Sequence, residues 1–401
     1  MSQQEMKMKL RYLATLPMLA LSTAAVAAEP ASLADAVAQS TVKLDARLRY
    51  ENVSQDNALK DADALTLRTR LTMETAAYQG FSALVEFEDS RDAFGVNDYN
   101  DKIGNKPEYS VIADPNTTEL DQAFLRYQRG MFKGTLGRQV VTLDNHRFVG
   151  HVGWRQDRQT FDGVNLLLTP AKDLTLNYVY INQRNRIFAE EKDVDSQDHL
   201  VNIGYNTAFG KLSAYAYLLE VDNNTDNGLD TYGVRFAGGT KLGDLPVKYQ
   251  LEYATQEDDA SGYEADYYLI EGAATFAGLT AKLGYEVLGS DSGDYGFSTP
   301  LATLHKFNGW ADMFLTTPKE GLVDLYGGVS GKALGGKFAV IYHDFTADEG
   351  TSADDFGSEI DLSYTTKVAK HYTLGVKYAM YDAGDIKVDT DKLWLWASAS
   401  F

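Results

Sequence analysis

The sequence has no cysteine, so disulfides, thiolate chemistry and a lipid-anchoring cysteine behind a cleaved leader are all excluded. Proline is scarce, with 8 in 401 residues. No proline- or serine-rich linker divides the chain, so one large domain is expected despite the length. After the first 28 residues no stretch approaches 18 consecutive apolar residues, which excludes a transmembrane helix. Positive charge is in deficit too: 37 Lys and Arg stand against 57 Asp and Glu, a formal net charge of −20. That balance argues against a nucleic-acid partner, because phosphate binding needs a net basic surface.

What is present is a two-residue period. In residues 389–401, Leu393, Leu395, Ala397, Ala399 and Phe401 share one parity, while Lys392, Ser398 and Ser400 share the other, with Trp394 and Trp396 interrupting the polar row. This is a strand with one apolar face. A barrel in lipid needs such a strand to pair with the first strand and leave no open edge. At the other end, Lys7, Lys9 and Arg11 precede a short apolar run at 13–21 and the small residues Ala25-Val26-Ala27-Ala28, the form of a secretory signal. The expected organisation is a signal peptide at 1–28, a short periplasmic segment at 29–41 and a single barrel domain at 42–401. Loss of the signal would take away Lys7, Lys9, Arg11 and Glu5 and leave a formal charge of −22.

The alternation recurs along the chain. In a strand read over 42–51, Val42, Leu44, Ala46, Leu48 and Tyr50 alternate with Lys43, Asp45, Arg47, Arg49 and Glu51. Over 64–78, Leu65, Leu67, Leu71 and Met73 oppose Arg68, Arg70, Thr72 and Glu74. Rows beginning at Phe81, Val247, Leu279 and Tyr372 repeat it. Charged residues on the inward rows mean a wet interior. Short connections near Gln79-Gly80, Gly130, 170–173, Phe209-Gly210, 243–246, Gly278, 333–335 and 368–370 alternate with long ones at 89–117, 141–158, 184–196, 222–229, 257–262, 289–321, 346–355 and 382–392. The alternation holds only if 307–315 lies in a loop, as a short helix, and does not span. The fold expected is all-β: an 18-stranded antiparallel transmembrane β-barrel of the bacterial outer membrane, with both termini and the short turns in the periplasm and the long loops outside. A barrel of that size leaves a water-filled channel.

Residues 126–158 form a basic island in an acidic chain: Arg126, Arg129, Lys133, Arg138, Arg147, Arg155 and Arg158 against Asp144 and Asp157. By parity, Arg47, Arg49, Arg68 and Arg70 also face the lumen. Arginine carries a permanent charge on a planar fork that matches a carboxylate bidentately, and pores lined with Arg select anions. The alternative is that these side chains pair with Glu74, Glu86, Glu88, Glu119 and Asp121 to stiffen the wall; both roles can coexist. Asp157 and Asp162 are placed to hold the guanidinium groups and temper their field.

Gly137-Arg138-Gln139, Arg147-Phe148-Val149-Gly150, Trp154-Arg155-Gln156 and Gln159-Thr160-Phe161-Asp162-Gly163 resemble the alginate-export family of outer-membrane barrels, as do the segment from His305 to Asp312, the stretch 318–326 and Tyr342-His343-Asp344-Phe345. The resemblance implies an 18-stranded monomeric barrel with an arginine-lined constriction through which the uronate polymer alginate leaves the cell. By matched motif the path residues are Arg138, Arg147, Arg155 and Arg158; Arg68, Arg70 and Arg126 join them by parity. Export of a polymer also implies periplasmic partners. Apart from the family, Phe401 on the lipid-facing parity resembles the signal read by the barrel assembly machinery, the apolar rows take outer-membrane lipid as their contact, and the acid-rich outer loops offer divalent-cation bridges to lipopolysaccharide phosphates. The chain departs from the family in its acidic outer loops, which do not suit the release of a polyanion, so a general or acid-selective uptake porin for small anionic solutes is the competing reading.

The acid-rich loops at 190–195, 222–230, 257–259 and 348–355 read as solvated surface. Oxygen ligands of this kind also suit Ca²⁺, but no loop has a defined coordination spacing, and no cofactor is expected. His146 and His151 are five apart with no third ligand in sequence. No Gly-x-Ser-x-Gly elbow occurs, and catalysis is not expected.

Overall fold

The computed structural model describes residues 29–350 and 353–401; the segment read as a signal, 1–28, lies outside the described residues. Helix α1 (Leu33–Ala38) begins at Ser32, whose Oγ accepts a bond from the Asp35 N–H, and precedes the sheet. In chain order the strands are β1 (Thr41–Gln55), β2 (Ala62–Glu74), β3 (Phe81–Asp98), β4 (Thr117–Arg129), β5 (Phe132–Gln139), β6 (Thr160–Ala171), β7 (Leu174–Asn185), β8 (Val194–Asn206), β9 (Gly210–Leu219) and β10 (Leu229–Leu242). They continue as β11 (Leu245–Asp258), β12 (Tyr263–Phe276), β13 (Leu279–Leu288), β14 (Ser290–Asp291), β15 (Tyr295–Gly296), β16 (Leu322–Ala333), β17 (Gly336–Thr346), β18 (Asp355–Lys367), β19 (Tyr372–Asp382) and β20 (Thr390–Ser400). The two-residue β14 and β15 make a small ribbon of their own. The other eighteen form one antiparallel sheet in chain order, with β13 paired to β16.

That sheet is closed, because β20 pairs back onto β1 with Leu48 opposite Ala397 and Tyr50 opposite Leu395. The seam runs to Phe401, which exchanges both backbone bonds with Leu44, at 2.9 and 3.2 Å. Closure is what lets strands cross hydrocarbon, since an open edge would leave N–H and C=O groups unpaired there. The outward rows are apolar and exposed: Leu71, Val201, Leu251, Ile270, Leu283, Val340 and Leu374 among them. Exposed aromatics mark both rims, with Phe81, Phe132, Tyr372 and Phe401 at the turn end and Tyr232, Tyr253 and Tyr268 at the loop end. These are the aromatic girdles of an outer-membrane barrel. The short turns fall where the sequence puts them, and 307–315 is a loop that does not span; its neighbouring 3₁₀ turn lies just before it, at Leu304–Lys306.

Three expectations are corrected. Strand β3 runs on to Asp98 instead of ending before 89, and β2 ends at Glu74, short of 78. The third correction matters more: the connections 140–159 and 297–321 do not stay outside but fold into the lumen and join each other. The N–H of Gly150 donates to Leu301 O (2.8 Å) and that of Thr303 to His146 O (3.0 Å). Phe148, Phe297, Leu301 and Phe314 supply an apolar core between the loops and the wall. Loop length alone carries no direction, whereas buried hydrophobics inside a loop do. A connection otherwise runs over the surface because its backbone groups need partners; here the charged wall provides them.

The lipid face sets the first test. Ile270 lies mid-strand on β12 with 60% of its surface exposed. Ile270→Arg should cost about 2–4 kcal/mol of unfolding free energy in lipid vesicles, while Thr280→Arg on the lumen row of β13 should stay within about 0.5 kcal/mol of the parent.

Candidate functional site

The wall of β1 and β2 builds one side of the site. Pleating turns Arg47, Arg49, Arg68 and Arg70 inward, and the register sets Arg47 directly opposite Arg68. Two guanidinium groups that close are unfavourable unless other groups hold them. Arg68 bonds Asp45, and Arg70 bonds Glu88 with Asp121 at 3.5 Å. Arg49 bonds Asp114, contributed by the 99–116 connection, and lies 3.3 Å from Glu51. Arg47 differs. Its Nε donates to Gln156 Oε1 (2.9 Å) and its Nη2 to the carbonyls of Trp154 (2.8 Å) and Arg155 (2.6 Å). Among the described residues no carboxylate pairs with it.

The inward loop 140–159 supplies the rest. Arg147 is buried and donates to Glu286 (2.7 Å), Thr299 (3.3 Å) and Asn308 (3.0 Å). Arg155 spans Glu51 of β1 (3.0 Å) and Asp312 of the other loop (3.1 Å). Arg158 pairs with Glu86 and with Asp121 at 2.7 Å. On the wall, Arg138 takes Asp162 in a two-pronged bond at 2.8 and 3.1 Å, and Arg126 pairs with Glu74 at 2.8 Å. Eight of the nine arginines singled out from the sequence are therefore ion-paired, and most are buried. Charge-assisted pairs of this kind fasten the loops to the wall. Pairing is the rule for these eight, since a buried charge without a partner costs several kcal/mol; Arg47 is the exception, its buried guanidinium met by neutral acceptors alone.

The two acids behave differently. Asp162 holds Arg138, as described. Asp157 holds no guanidinium group. It lies buried near Glu119, Glu88 and Asp121, and one of its carboxylate oxygens has no partner. Burial, followed by those neighbouring carboxylates, pushes its carboxyl well above the usual range.

Sequence reasoning missed an aromatic cluster. The chain has four tryptophans, and all of them, Trp154, Trp310, Trp394 and Trp396, meet inside the lumen, not at the lipid interface. Trp154 stacks on His305 (5.0 Å, 6°) and meets Trp394 and Trp396 edge-on at 5.8 and 5.3 Å. Trp396 fits because its wall neighbour is Gly375, where a Cβ would lie 2.0 Å from the indole. The Lys377 ammonium sits 4.0 Å from the ring centres of both Trp154 and Trp310, close enough for a cation–π attraction. Lys377 Nζ also lies 2.9 Å from His305 Nε2, and His305 Nδ1 lies 2.7 Å from Asp312. Burial pushes the His305 imidazole down to about 3, so it is neutral at physiological pH, donating from Nδ1 to Asp312 and accepting at Nε2 from Lys377. The signal for this cluster was in the sequence: Trp394, Trp396 and Lys377 all fall on inward rows.

Beneath the loops a cavity of about 290 Å³ remains, lined by Lys282, Lys306, Glu271, Trp310, Tyr326 and His343 among others. A second, of about 210 Å³, lies by Lys43, Thr72, Glu74, Glu86 and Arg158. His146 and His151 meet edge to face at 5.5 Å. Among the described residues no three His, Asp or Glu side chains converge to hold a metal ion.

Two variants test the plug. Because the Asp157 pKa is raised on folding, its stabilising contribution is complete at low pH and is lost as pH rises. Asp157→Asn should therefore match the parent near pH 4 and exceed it by about 1 kcal/mol at pH 8 in urea unfolding. Trp154→Ala should cost the inward loops about 3–5 kcal/mol of docking energy and raise single-channel conductance; unchanged conductance would show that the cluster does not hold the plug.

Comparison with known proteins places this architecture. No curated protein sequence matches. Among solved structures the chain is similar to Pseudomonas aeruginosa OccK9 (OpdG), with a TM-score of 0.71 and 15% identity over 91% of this chain and 99% of that one. It is likewise similar to Acinetobacter baumannii OccAB4 (0.70, 15%, 90% and 98%) and to Pseudomonas aeruginosa OpdK solved with vanillate (0.71, 14%, 91% and 99%). At these identities the likeness establishes the fold alone, the closed barrel of these porins; that barrel together with the family match that follows places the chain in the bacterial outer membrane. The family profile described as alginate export matches residues 38–288, more than half of the chain, and the protein belongs to that family of outer-membrane channels.

Proposed function

We propose that this outer-membrane channel passes anionic polysaccharide or oligosaccharide of the alginate type, with carboxylates handed between arginines in the lumen, and that it carries out no catalysis. The observation that carries the reading is the concentration of Arg47, Arg49, Arg68, Arg70, Arg155 and Arg158 around one side of the lumen, on β1, β2 and the inward loop. Their ion pairs do not argue against a path. A passing carboxylate can replace Asp or Glu oxygens on a guanidinium fork without leaving it unsatisfied, and such an exchange keeps binding weak at each step. Weak sites in series are what conduction needs. Arg47, bonded only to neutral acceptors, is the site at which an incoming carboxylate displaces no anion. Passage of a polymer requires the 140–159 and 297–321 loops to leave the lumen. Arg138, Arg126 and Arg147 extend the path along the wall, with Asp162 tempering Arg138. Residues 1–28 fit this reading as an export signal.

A second reading is favoured by the plug itself. With both loops inside, the cavity beneath them is about 290 Å³, room for one small solute, and the similar OpdK barrel was solved with vanillate, a small carboxylate. An uptake porin for small organic acids would need no removal of the loops.

Planar-bilayer recording separates the two. The first reading expects anion selectivity, block by long uronate oligomers, and a shift toward cation selectivity in Arg138→Ala and Arg155→Ala, which uncover Asp162, Glu51 and Asp312. Passage of mono-uronates and small acids without block by longer chains would favour the second. A reversal potential unmoved by either substitution would remove the arginine path.

A further inference from the structure

We propose that the periplasmic mouth of the barrel is a lysine-lined capture site for a polyanion, so that an anionic chain is taken up faster from the turn side than from the loop side. The inference rests on the proposed uronate path and adds to it the side from which the polymer is captured.

The observation is a group of six lysines, Lys43, Lys241, Lys248, Lys332, Lys337 and Lys367, on β1, β10, β11, β16, β17 and β18. All six are exposed. Each lies on the lumen-facing parity of its strand, since the neighbours Val42, Leu242, Leu251, Val329, Val340 and Leu362 on the opposite parity are the exposed apolar residues of the lipid face. Five lie close to a short turn, and Lys43 lies at the start of β1, at the same rim. Among the described residues none of the six has a carboxylate within salt-bridge distance, in contrast to the arginines of the mid-lumen. The acids on the same inward rows near the turns are already engaged: Asp45 by Arg68, Glu74 by Arg126 (2.8 Å) and Glu271 by Lys282 (3.0 Å).

Two placements show that the cations are concentrated and not simply scattered over a wet rim. Lys332 and Lys337 are direct cross-strand partners, and like charges so placed oppose the pairing of their strands. Lys241 and Lys248 are diagonal neighbours across β10 and β11, Lys241 facing Pro246. A rim that served only solubility would mix the signs evenly; here the turn acids Asp173 and Asp244 are outnumbered by the six lysines. At the opposite end the connections are acidic, with Glu220, Asp222 and Asp226 in one and Asp348, Glu349 and Asp354 in another. The barrel is thus electropositive at one mouth and electronegative at the other, although its net charge is strongly negative.

A charged mouth with low-dielectric walls focuses its field and raises the local concentration of the opposite charge. Ammonium groups are mobile, hydrated point charges, suited to catching a carboxylate chain without fixing its register. From the ring the chain passes to the guanidinium groups above. The field does not drive transport; it sets how often a chain enters from each side. The acidic outer rim lowers the capture rate for anions arriving from outside.

The test is one-sided blockade in planar bilayers. As the chain has no native cysteine, Asp244→Cys in a periplasmic turn, modified by an impermeant thiol reagent from one chamber, reports the orientation of each inserted channel. Uronate hexamers and inorganic tripolyphosphate are added in turn to each chamber. Association from the turn side should be faster by about tenfold at low salt and converge with the loop side as salt rises. Lys332→Gln/Lys337→Gln, with Lys241→Gln/Lys248→Gln as an independent second pair, should lower only the turn-side rate. Equal rates, or faster association from the loop side, with block intact would overturn the capture ring and leave the uronate channel standing. Absence of uronate block, with tripolyphosphate still associating faster from the turn side, would remove the uronate reading and support the ring.

Discussion

Each backbone N–H and C=O that crosses hydrocarbon must be bonded to another strand, and the rest of this structure follows from that constraint. It closes β20 onto β1 through Phe401 and Leu44, and closure sends every second side chain into a lumen. There is then no single apolar core of the kind found in a soluble domain. The hydrophobic rows face lipid, and the interior has to be assembled from the residues left over, which in this chain are largely charged.

The plug answers that interior. Arginines, glutamates and aspartates on the wall need partners of opposite sign, and the loops 140–159 and 297–321 bring them: Arg147 to Glu286, Arg155 to Glu51, Asn308 to Glu286 and Asp324. The loops in turn need partners for their own backbone, which Arg47 and Glu359 provide through Trp154 O, Arg155 O and the Ala311 N–H. Wall and loop satisfy each other's buried polar groups. Opening the channel must exchange these bonds for others, to water or to substrate carboxylates, in steps that never leave several charges bare at once. The Lys377 cluster differs in kind. It joins both loops to β19 and β20 through aromatic faces, a contact with little directional demand that can be broken and remade as a unit.

Most of the barrel was legible in the sequence because its information is local. Alternation gives strand and face, and turn residues give the short connections, so the count of eighteen strands and the lumen-facing parity of Arg47, Arg49, Arg68 and Arg70 agree with the structure. What could not be read was long-range. Asp114 reaches Arg49 from sixty-five residues away and Glu286 reaches Arg147 from one hundred and thirty-nine; no periodicity encodes such pairs. The inward course of the two loops was partly visible, in apolar residues such as Phe148 and Phe314 that a solvated loop has no reason to contain. The tryptophan cluster was half legible: in this fold class indoles usually belong at the lipid interface, and the parity of Trp394 and Trp396 puts those two on the inward row, but nothing local brings Trp154 and Trp310 to them.

The acidic net charge, which sits awkwardly with an anion channel when taken as a sum, is resolved by position along the axis. In the middle of the lumen most charges are buried and paired, Arg47 excepted, so the net charge of the arginine band is far smaller than its count of arginines. At the turn-side rim water is plentiful, solvation removes the need for a partner, and lysines such as Lys332 and Lys337 can stand free. At the loop side the surplus of Asp and Glu is exposed and screened within about 8–10 Å at physiological salt, too short a distance to reach the mid-lumen. A solute in the channel therefore meets each zone in turn and never the net charge. Selectivity follows from which unpaired charges it meets first and which pairs it must exchange next.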